Sequence, residues 1–162
     1  MQIFPLKIYT GEEVQFIYTQ AEFENFASNY TQIKAAGGVV RNGKQELLMI
    51  YRRGKWDFPK GKVEENEKVH IAAIREVGEE TGVENLSITE ELPSTFHTYI
   101  ENGISILKQT HWYEMVAKET PEPTPQTEED ITEVKWVSIL QVSDLLKDSY
   151  PSLSDLWNML SF

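Results

Sequence analysis

Hydrophobic and polar residues follow two patterns along this chain. One is alternation, which predicts strands, and the other is helical spacing, which predicts helices. Short apolar or alternating runs bounded by turn residues predict strands at residues 3–9, 14–18, 35–40, 46–51, 95–100, 104–117 and 134–137. Apolar residues at helical spacing predict helices at residues 20–30, 67–81, 139–147 and 151–160. Gly82 suits the end of the second helix, since glycine readily adopts the left-handed conformation found there. This order of elements favours an α/β fold, with a mixed sheet between helices in an α/β/α sandwich.

Two Asn-Gly pairs predict tight hairpins. Asn42-Gly43 and Asn102-Gly103 each lie between predicted strands, and both residue types accept the positive φ angles of a type I′ turn. Residues 38–44 also resemble a phosphate-binding Walker loop, but Gln45 stands where that loop needs Ser or Thr, and a strand follows instead of a helix. We therefore interpret this segment as a hairpin. The prolines of residues 120–127 predict a surface loop.

Residues 1–33 are predicted to form an accessory extension, a β-hairpin and a helix, ahead of one domain over residues 34–162. The extension is rich in aromatic and branched aliphatic side chains, among them Ile3, Ile8, Phe16, Tyr18 and Phe23. Disordered tails are poor in such residues. We expect these side chains to be buried against the rest of the chain or against a partner.

The net charge limits the kinds of molecule that the chain is expected to bind. The 162 residues include 15 Lys and Arg against 26 Asp and Glu, a formal net charge of -11, which opposes binding to duplex nucleic acid. The absence of cysteine excludes disulfides and thiolate metal sites. No stretch approaches the roughly 20 apolar residues of a membrane span. We expect a soluble cytoplasmic protein, and the sequence is compatible with a homodimer.

Three carboxylates in the second predicted helix are the main candidates for chemistry. Glu76, Glu79 and Glu80 lie at positions i, i+3 and i+4, so they share one helix face and repel each other. Such a cluster is usually a solvated acidic face. Here Arg75 lies within it and a Pro-Lys-Gly turn precedes the helix, which favours a site for hard divalent cations such as Mg²⁺ or Mn²⁺.

Residues 61–83, GKVEENEKVHIAAIREVGEETGV, carry a family resemblance. They resemble the Nudix box, G-x5-E-x7-R-E-U-x-E-E-x-G-U with U a bulky aliphatic residue. The positions in register are Gly61, Glu67, Arg75, Glu76, Val77, Glu79, Glu80, Gly82 and Val83. The likeness extends over about residues 34–147, and residues 1–33 lie outside it. Every fixed position of the pattern is matched, which makes chance agreement remote.

The resemblance implies a Nudix-type fold and hydrolysis of a phosphoanhydride bond. Matched position by position, Glu76, Glu79 and Glu80 would bind or bridge metal ions, and the backbone carbonyl near Lys60 or Gly61 would be a further ligand. Arg75 would orient the carboxylates through an ion pair, and Glu67 would hold either Arg75 or the loop in place. Glu79 and Glu80 are the leading catalytic candidates within the box.

Further candidates lie outside the box. The segment Trp56 to Glu64 resembles the Pro-Lys-Gly segment of Nudix enzymes that act on diadenosine polyphosphates and diphosphoinositol polyphosphates. The candidates for substrate binding are Arg52, Arg53, Lys60, Tyr99, Lys108 and Tyr113. An acidic residue of the segment 128–130, with Glu129 and Asp130 as the leading candidates, is expected to complete the metal site or to act as the base. Each of these side chains is otherwise a solvated charge or a core aromatic.

Two other classes of function stay open from sequence alone. A nucleotide-sensing domain with the same fold would bind a nucleotide without cleaving it, and it predicts damaged carboxylates or an attached DNA-binding helix-turn-helix, neither of which the sequence contains. A protein-interaction module built on residues 1–33 predicts a vestigial box, whereas the box is intact. The sequence thus favours a Mg²⁺-dependent enzyme acting on a small nucleoside-diphosphate-linked substrate, and it does not select the compound.

Overall fold

The computed structural model describes residues 2–11 and 13–160 as an α/β fold. The strands are Leu6–Thr10 (β1), Glu13–Ile17 (β2), Thr31–Arg41 (β3), Glu46–Arg52 (β4), Lys55–Asp57 (β5), Lys60–Lys62 (β6), Leu86–Glu101 (β7), Ile104–Ala117 (β8) and Ile131–Ser138 (β9). The helices are Gln20–Ala27 (α1), Val69–Thr81 (α2), Ile139–Leu146 (α3) and Pro151–Asn158 (α4), with a 3-10 turn at Thr127–Glu129. Across the described residues, no helix has the length and apolar character needed to cross a membrane.

The strands form one mixed sheet. Its order is β2-β1-β7-β8-β3-β4-β5, with β6 paired to β3 and β9 paired to β4. The pairs β1 with β7 and β3 with β8 are parallel, and the other pairs are antiparallel. Strands β3 and β4 pair only at Arg41 and Leu47, so they diverge and leave the edge of β3 at Ala35–Gly37 free for β6. The predicted α/β fold with a mixed sheet is confirmed.

Side-chain alternation along β8 separates the two faces of the sheet. Tyr113 and Met115 pack with α2 on one face, whereas Trp112 packs with α3 and α4 on the other. Successive residues of a strand point to opposite faces, and the pairing of β8 with β3 is continuous from residue 106 to residue 116. Lys108 therefore lies on the α4 face, the same face as Trp112. Leu107 packs with α1 on the α2 face.

The described part of the N-terminal segment packs onto this sheet. Strand β1 extends the sheet beside β7, Ile8 is fully buried, and Phe23 of α1 contacts Phe96 with ring centroids 5.6 Å apart. Ile3, Phe16 and Tyr18 are exposed in this chain, because Ile3 precedes the first strand and Phe16 and Tyr18 lie at the sheet edge. Their burial against a partner stays a prediction. The division of the chain at residue 33 stays a prediction.

Helix α2 begins two residues later than predicted. Glu67 lies outside the helix because its carboxylate accepts a hydrogen bond from the backbone N of Glu64 and binds Arg75. The predicted end is confirmed, since Gly82 has φ of 75° and its N–H donates to Gly78 O at 2.8 Å. The helix thus presents the predicted carboxylate face, and its C-terminal end is fixed at Gly82.

One of the two predicted type I′ turns is confirmed. Asn102 and Gly103 have φ of 51° and 77°. The prediction at Asn42-Gly43 is wrong, because the buried Asn42 accepts hydrogen bonds on Oδ1 from the backbone N of residues 44 and 46. Its own carbonyl accepts from Gln45, which takes the positive φ of 60° in a longer turn.

Candidate active site

Two glutamates of α2 converge on the turn at residues 59–61. The backbone N–H of Lys60 donates to Glu80 Oε2 at 3.0 Å. Gly61 lies under Glu76 so closely that a Cβ on Gly61 would be 2.0 Å from Glu76 Oε2. The absence of a side chain at Gly61 therefore lets the Glu76 carboxylate reach the backbone of β6. This close approach explains why the first position of the box is glycine.

Arg75 fixes the carboxylates around it. Its Nε and Nη2 donate to both oxygens of Glu67 at 2.7 and 2.9 Å. Its Nη1 donates to Glu76 Oε1 at 2.8 Å and to Glu79 Oε2 at 3.0 Å. The planar guanidinium has the donors needed for this arrangement, whereas an ammonium does not. These bonds lower the pKa of Glu67 to about 2 and raise the pKa of Arg75 above its ordinary value.

Burial works against ionisation of the two inner glutamates. It raises the pKa of Glu80 to about 7, an effect that the nearby Lys60 partly offsets. It also raises the pKa of Glu76, an effect that Arg75 partly offsets and that the charges of Glu79 and Glu129 reinforce. A divalent cation near these groups would favour their ionised form. The electrostatics of the site are therefore those of carboxylates that gain from a bound cation.

The donor set fits Mg²⁺ or Mn²⁺. Glu76, Glu79, Glu80 and the Gly61 carbonyl offer oxygen ligands only, which hard cations prefer. Within residues 2–11 and 13–160, however, no three Asp, Glu or His side chains are already arranged to hold a metal ion. Arg75 occupies one oxygen each of Glu76 and Glu79, and the Glu79 side chain is half exposed. A cation would therefore compete with Arg75 for these oxygens.

The acidic loop after the prolines approaches the same site. Arg52 Nε donates to the backbone O of Glu129 at 2.8 Å, which holds this loop against β4. The charge of Glu129 acts on Glu76. Asp130 forms an exposed ion pair with Arg53 at 3.0 Å. The structure thus brings Glu129, and not Asp130, towards the box carboxylates.

A cluster of basic residues lies on the α4 face. The register of β6 on β3 and β8 places Lys60 and Lys62 on the same face as Lys108. Lys60 forms an ion pair with the buried Asp57, a partner that the sequence reasoning missed. Its only sequence signal was an acidic residue inside a basic cluster, directly before the Pro-Lys-Gly turn.

The two tyrosines predicted to bind substrate lie on opposite faces of the sheet. Tyr99 lies on the α4 face, because His97 pairs with Lys108 across the strands and Tyr99 follows two residues later. The rings of His97 and Tyr99 stack with centroids 5.4 Å apart. Tyr113 packs in the core against α2, on the opposite face, so the structure does not bring it together with Lys108.

The chain is similar to known proteins in its family model and in its fold. The family model of the NUDIX domain matches residues 31–156. An Ap4A hydrolase of C. elegans in a binary complex shares the fold with a TM-score of 0.59 and 25% identity, over 78% of this chain and 93% of that one. A MutT protein from Methanosarcina mazei Go1 has a TM-score of 0.62 at 20% identity, over 80% of this chain and 93% of that one, which shows the fold alone.

Two relatives of this chain in sequence are named for specific activities. The m7GpppN-mRNA hydrolase dcap-2 of Caenorhabditis elegans is 32% identical over 140 residues, which are 82% of this chain and 16% of that protein. The 8-oxo-dGDP phosphatase NUDT18 of Danio rerio is 32% identical over 88 residues, which are 51% of this chain and 27% of that protein. The chain spans less than a third of the length of these relatives. Because the family model covers residues 31–156, which are most of the chain, the chain belongs to the Nudix hydrolase family.

Proposed function

We propose that this protein is a Mg²⁺-dependent pyrophosphohydrolase that cleaves a phosphoanhydride bond in a nucleoside-diphosphate-linked substrate, preferably a dinucleoside polyphosphate. The observation that carries the proposal is the convergence of Glu76 and Glu80 on the Gly61 turn, beside the guanidinium that holds Glu79. Mn²⁺ suits the same oxygen donors.

The residues of the chain divide the chemistry among them. Glu76, Glu79 and Glu80 would hold a divalent cation, which would neutralise phosphate oxygens and make water a stronger acid. Arg75 keeps Glu76 and Glu79 oriented. Glu129 takes the proton of the attacking water, whose oxygen forms the new bond to phosphorus while the bridging oxygen leaves with the departing phosphate. Arg52 holds Glu129 in place through the backbone of the acidic loop.

The preference for a phosphate chain between two nucleosides rests on two observations. Lys60, Lys62 and Lys108 place several cations on one face of an acidic protein, and such a cluster can attract a multiply charged anion against the net charge. The names Ap4A hydrolase and m7GpppN-mRNA hydrolase both describe a phosphate chain joined to nucleosides. Tyr99 and the lysines are the proposed contacts of that chain and of its base.

A substrate panel with product identification tests this proposal. The panel contains diadenosine tetraphosphate, a cap dinucleotide, ADP-ribose, 8-oxo-dGDP and an inositol pyrophosphate, each with and without Mg²⁺. We expect Mg²⁺-dependent cleavage, with the highest kcat/KM on the dinucleoside polyphosphates. Activity on ADP-ribose alone would contradict the preference, and the absence of Mg²⁺-dependent cleavage of every compound would contradict the enzymatic function.

A further inference from the structure

Lys108 is a cation in an unusual environment. It lies in the middle of β8, partly buried, with His97 beside it on β7 and Ile33 beside it on β3. Among residues 2–11 and 13–160 its ammonium makes no hydrogen bond and no ion pair. Lysine is seldom placed in such a position without a partner, because removing an ammonium from water is costly.

The charged groups around Lys108 come from several strands. Lys60 and Lys62 of β6 and Arg52 of β4 repel it, whereas Asp57 of β5 attracts it. Asp57 already binds the ammonium of Lys60, so it does not neutralise Lys108. Burial is the largest cause that lowers the pKa of Lys108, and with the contribution of the neighbouring cations the pKa falls to about 8. The described surroundings of Lys108 thus offer no unpaired anion to neutralise its charge.

The rings of His97 and Tyr99 lie on the same face of the sheet as Lys108 and form a surface with it. His97 is held neutral near pH 7, because burial and the charge of Lys108 lower its pKa to about 4. Its ring stacks with that of Tyr99 at an interplanar angle of 24°. Two aligned aromatic rings beside a cation offer a flat surface to a nucleobase and a charge to the phosphate that the nucleoside carries.

Lys60 connects this surface to the carboxylates. Its backbone N–H holds Glu80, and its side chain belongs to the face that carries Lys108. A phosphate chain with one link at the carboxylates would therefore place further phosphates along Lys60 towards Lys108. A substrate with a single pyrophosphate link would leave fewer charges to reach it.

We propose that Lys108 is a specificity-determining residue that binds a substrate phosphate outside the hydrolysed link, with the His97 and Tyr99 rings receiving the base of the same nucleoside. The inference rests on the proposed function for the identity of the substrate, but anion binding at Lys108 does not require turnover. It adds His97 to the substrate contacts and assigns the distal phosphates to the α4 face.

The matched variants are Lys108→Met and Lys34→Met. Lys34 lies on β3 and is exposed, and its side chain points to the opposite face, since it pairs with Gln109. Isothermal titration with inorganic tripolyphosphate in EDTA measures anion binding without a metal at the carboxylates. We expect Lys108→Met to weaken binding at least about tenfold, because it removes a charged hydrogen bond to the anion, and Lys34→Met to bind like the wild type.

A second measurement uses the wild-type protein. The Lys108 ammonium is titrated by NMR with and without tripolyphosphate, and we expect the bound anion to raise its pKa from about 8. On diadenosine tetraphosphate, Lys108→Met should lower kcat/KM mainly through a higher KM.

The outcomes separate this inference from the proposed function. An active enzyme in which Lys108→Met binds tripolyphosphate as tightly as the wild type, or in which the anion leaves the Lys108 pKa unchanged, would overturn the inference alone. Tripolyphosphate binding that depends on Lys108, in a protein that hydrolyses none of the panel compounds, would support the inference and contradict the proposed function.

Discussion

At the scale of single residues, Glu129 and its neighbour Asp130 differ in what they face. The charge of Glu129 acts on Glu76, whereas Asp130 is bound to Arg53 at the surface. We expect Glu129→Gln to reduce turnover at least about tenfold, the lower part of what a general base contributes. Asp130→Asn is the control and should change turnover little, because an exposed ion pair contributes about 1 kcal/mol or less. Turnover against pH at saturating Mg²⁺ measures both, and near-normal profiles for both variants would place the base inside the box.

Lys108 gives a pH dependence of stability. Its pKa is lowered from an ordinary 10.5 to about 8, so the unfolded chain binds this proton more tightly than the folded protein. The resulting destabilisation is fully present below pH 8 and disappears as the pH rises towards 10.5. We expect Lys108→Met to be more stable than the wild type at pH 7, with a difference that shrinks across this range. Urea denaturation at a series of pH values measures it, and a constant difference would refute the assignment.

At the scale of elements, alanine at two glycines, one just before α2 and one within it, should have opposite effects on the protein. A Cβ on Gly61 would overlap the end of the Glu76 side chain, which can rotate away. Gly61→Ala should therefore displace the carboxylate and lower turnover at least about tenfold, as the loss of a well-placed charged group does, with little change in thermal stability.

Gly78 is the matched control on the helix. A Cβ there would meet only Val83 O at 3.7 Å, so no close packing requires glycine. Gly78→Ala should stabilise the protein by roughly 0.5–1 kcal/mol, because alanine is the better helix former, and it should keep activity. Thermal unfolding and turnover of the two variants check this pair, and equal activity in both would show that the Glu76 position is not set by Gly61.

The sequence predicted the elements whose signal is local. The box helix follows from apolar spacing and from Gly82, and the β7–β8 turn follows from Asn102-Gly103. The prediction for the turn after β3 was wrong, because the Asn42 side chain accepts hydrogen bonds from the backbone and the positive φ angle falls at Gln45. Strands β5 and β6, three residues each, have no period to detect and exist because β4 and β3 pair with them.

The same reasoning applies to the candidate site. Residues one helical turn apart are neighbours, so the contact of Arg75 with Glu79 was expected, and the family resemblance implied the contact with Glu67. The pairing of Lys60 with Asp57 and the placement of Lys108 beside His97 were not predicted, because they depend on strand register. Register is set by long-range pairing that one sequence does not display.

At the scale of the whole molecule, the N-terminal segment and the sheet are expected to unfold together. Ile8 is fully buried between β7 and α1, whereas Ile3 is 81% exposed. Ile8→Ala should destabilise the protein by about 2–5 kcal/mol, while Ile3→Ala should change stability by less than about 0.5 kcal/mol. Chemical denaturation should show one shifted transition for Ile8→Ala. A separate early transition, with the main one unchanged, would show that the segment folds independently.

The central claim is that the carboxylates of α2 form a catalytic Mg²⁺ site, and the most direct test replaces Glu79 or Glu80 by Gln. The substitution removes charge without volume, and at residue 80 the amide oxygen can still accept the hydrogen bond from Lys60 N. Turnover of diadenosine tetraphosphate is measured at saturating substrate and Mg²⁺, with circular dichroism as the control for folding. The account predicts a loss of several powers of ten in both variants with the fold intact, and unchanged turnover in both would contradict it.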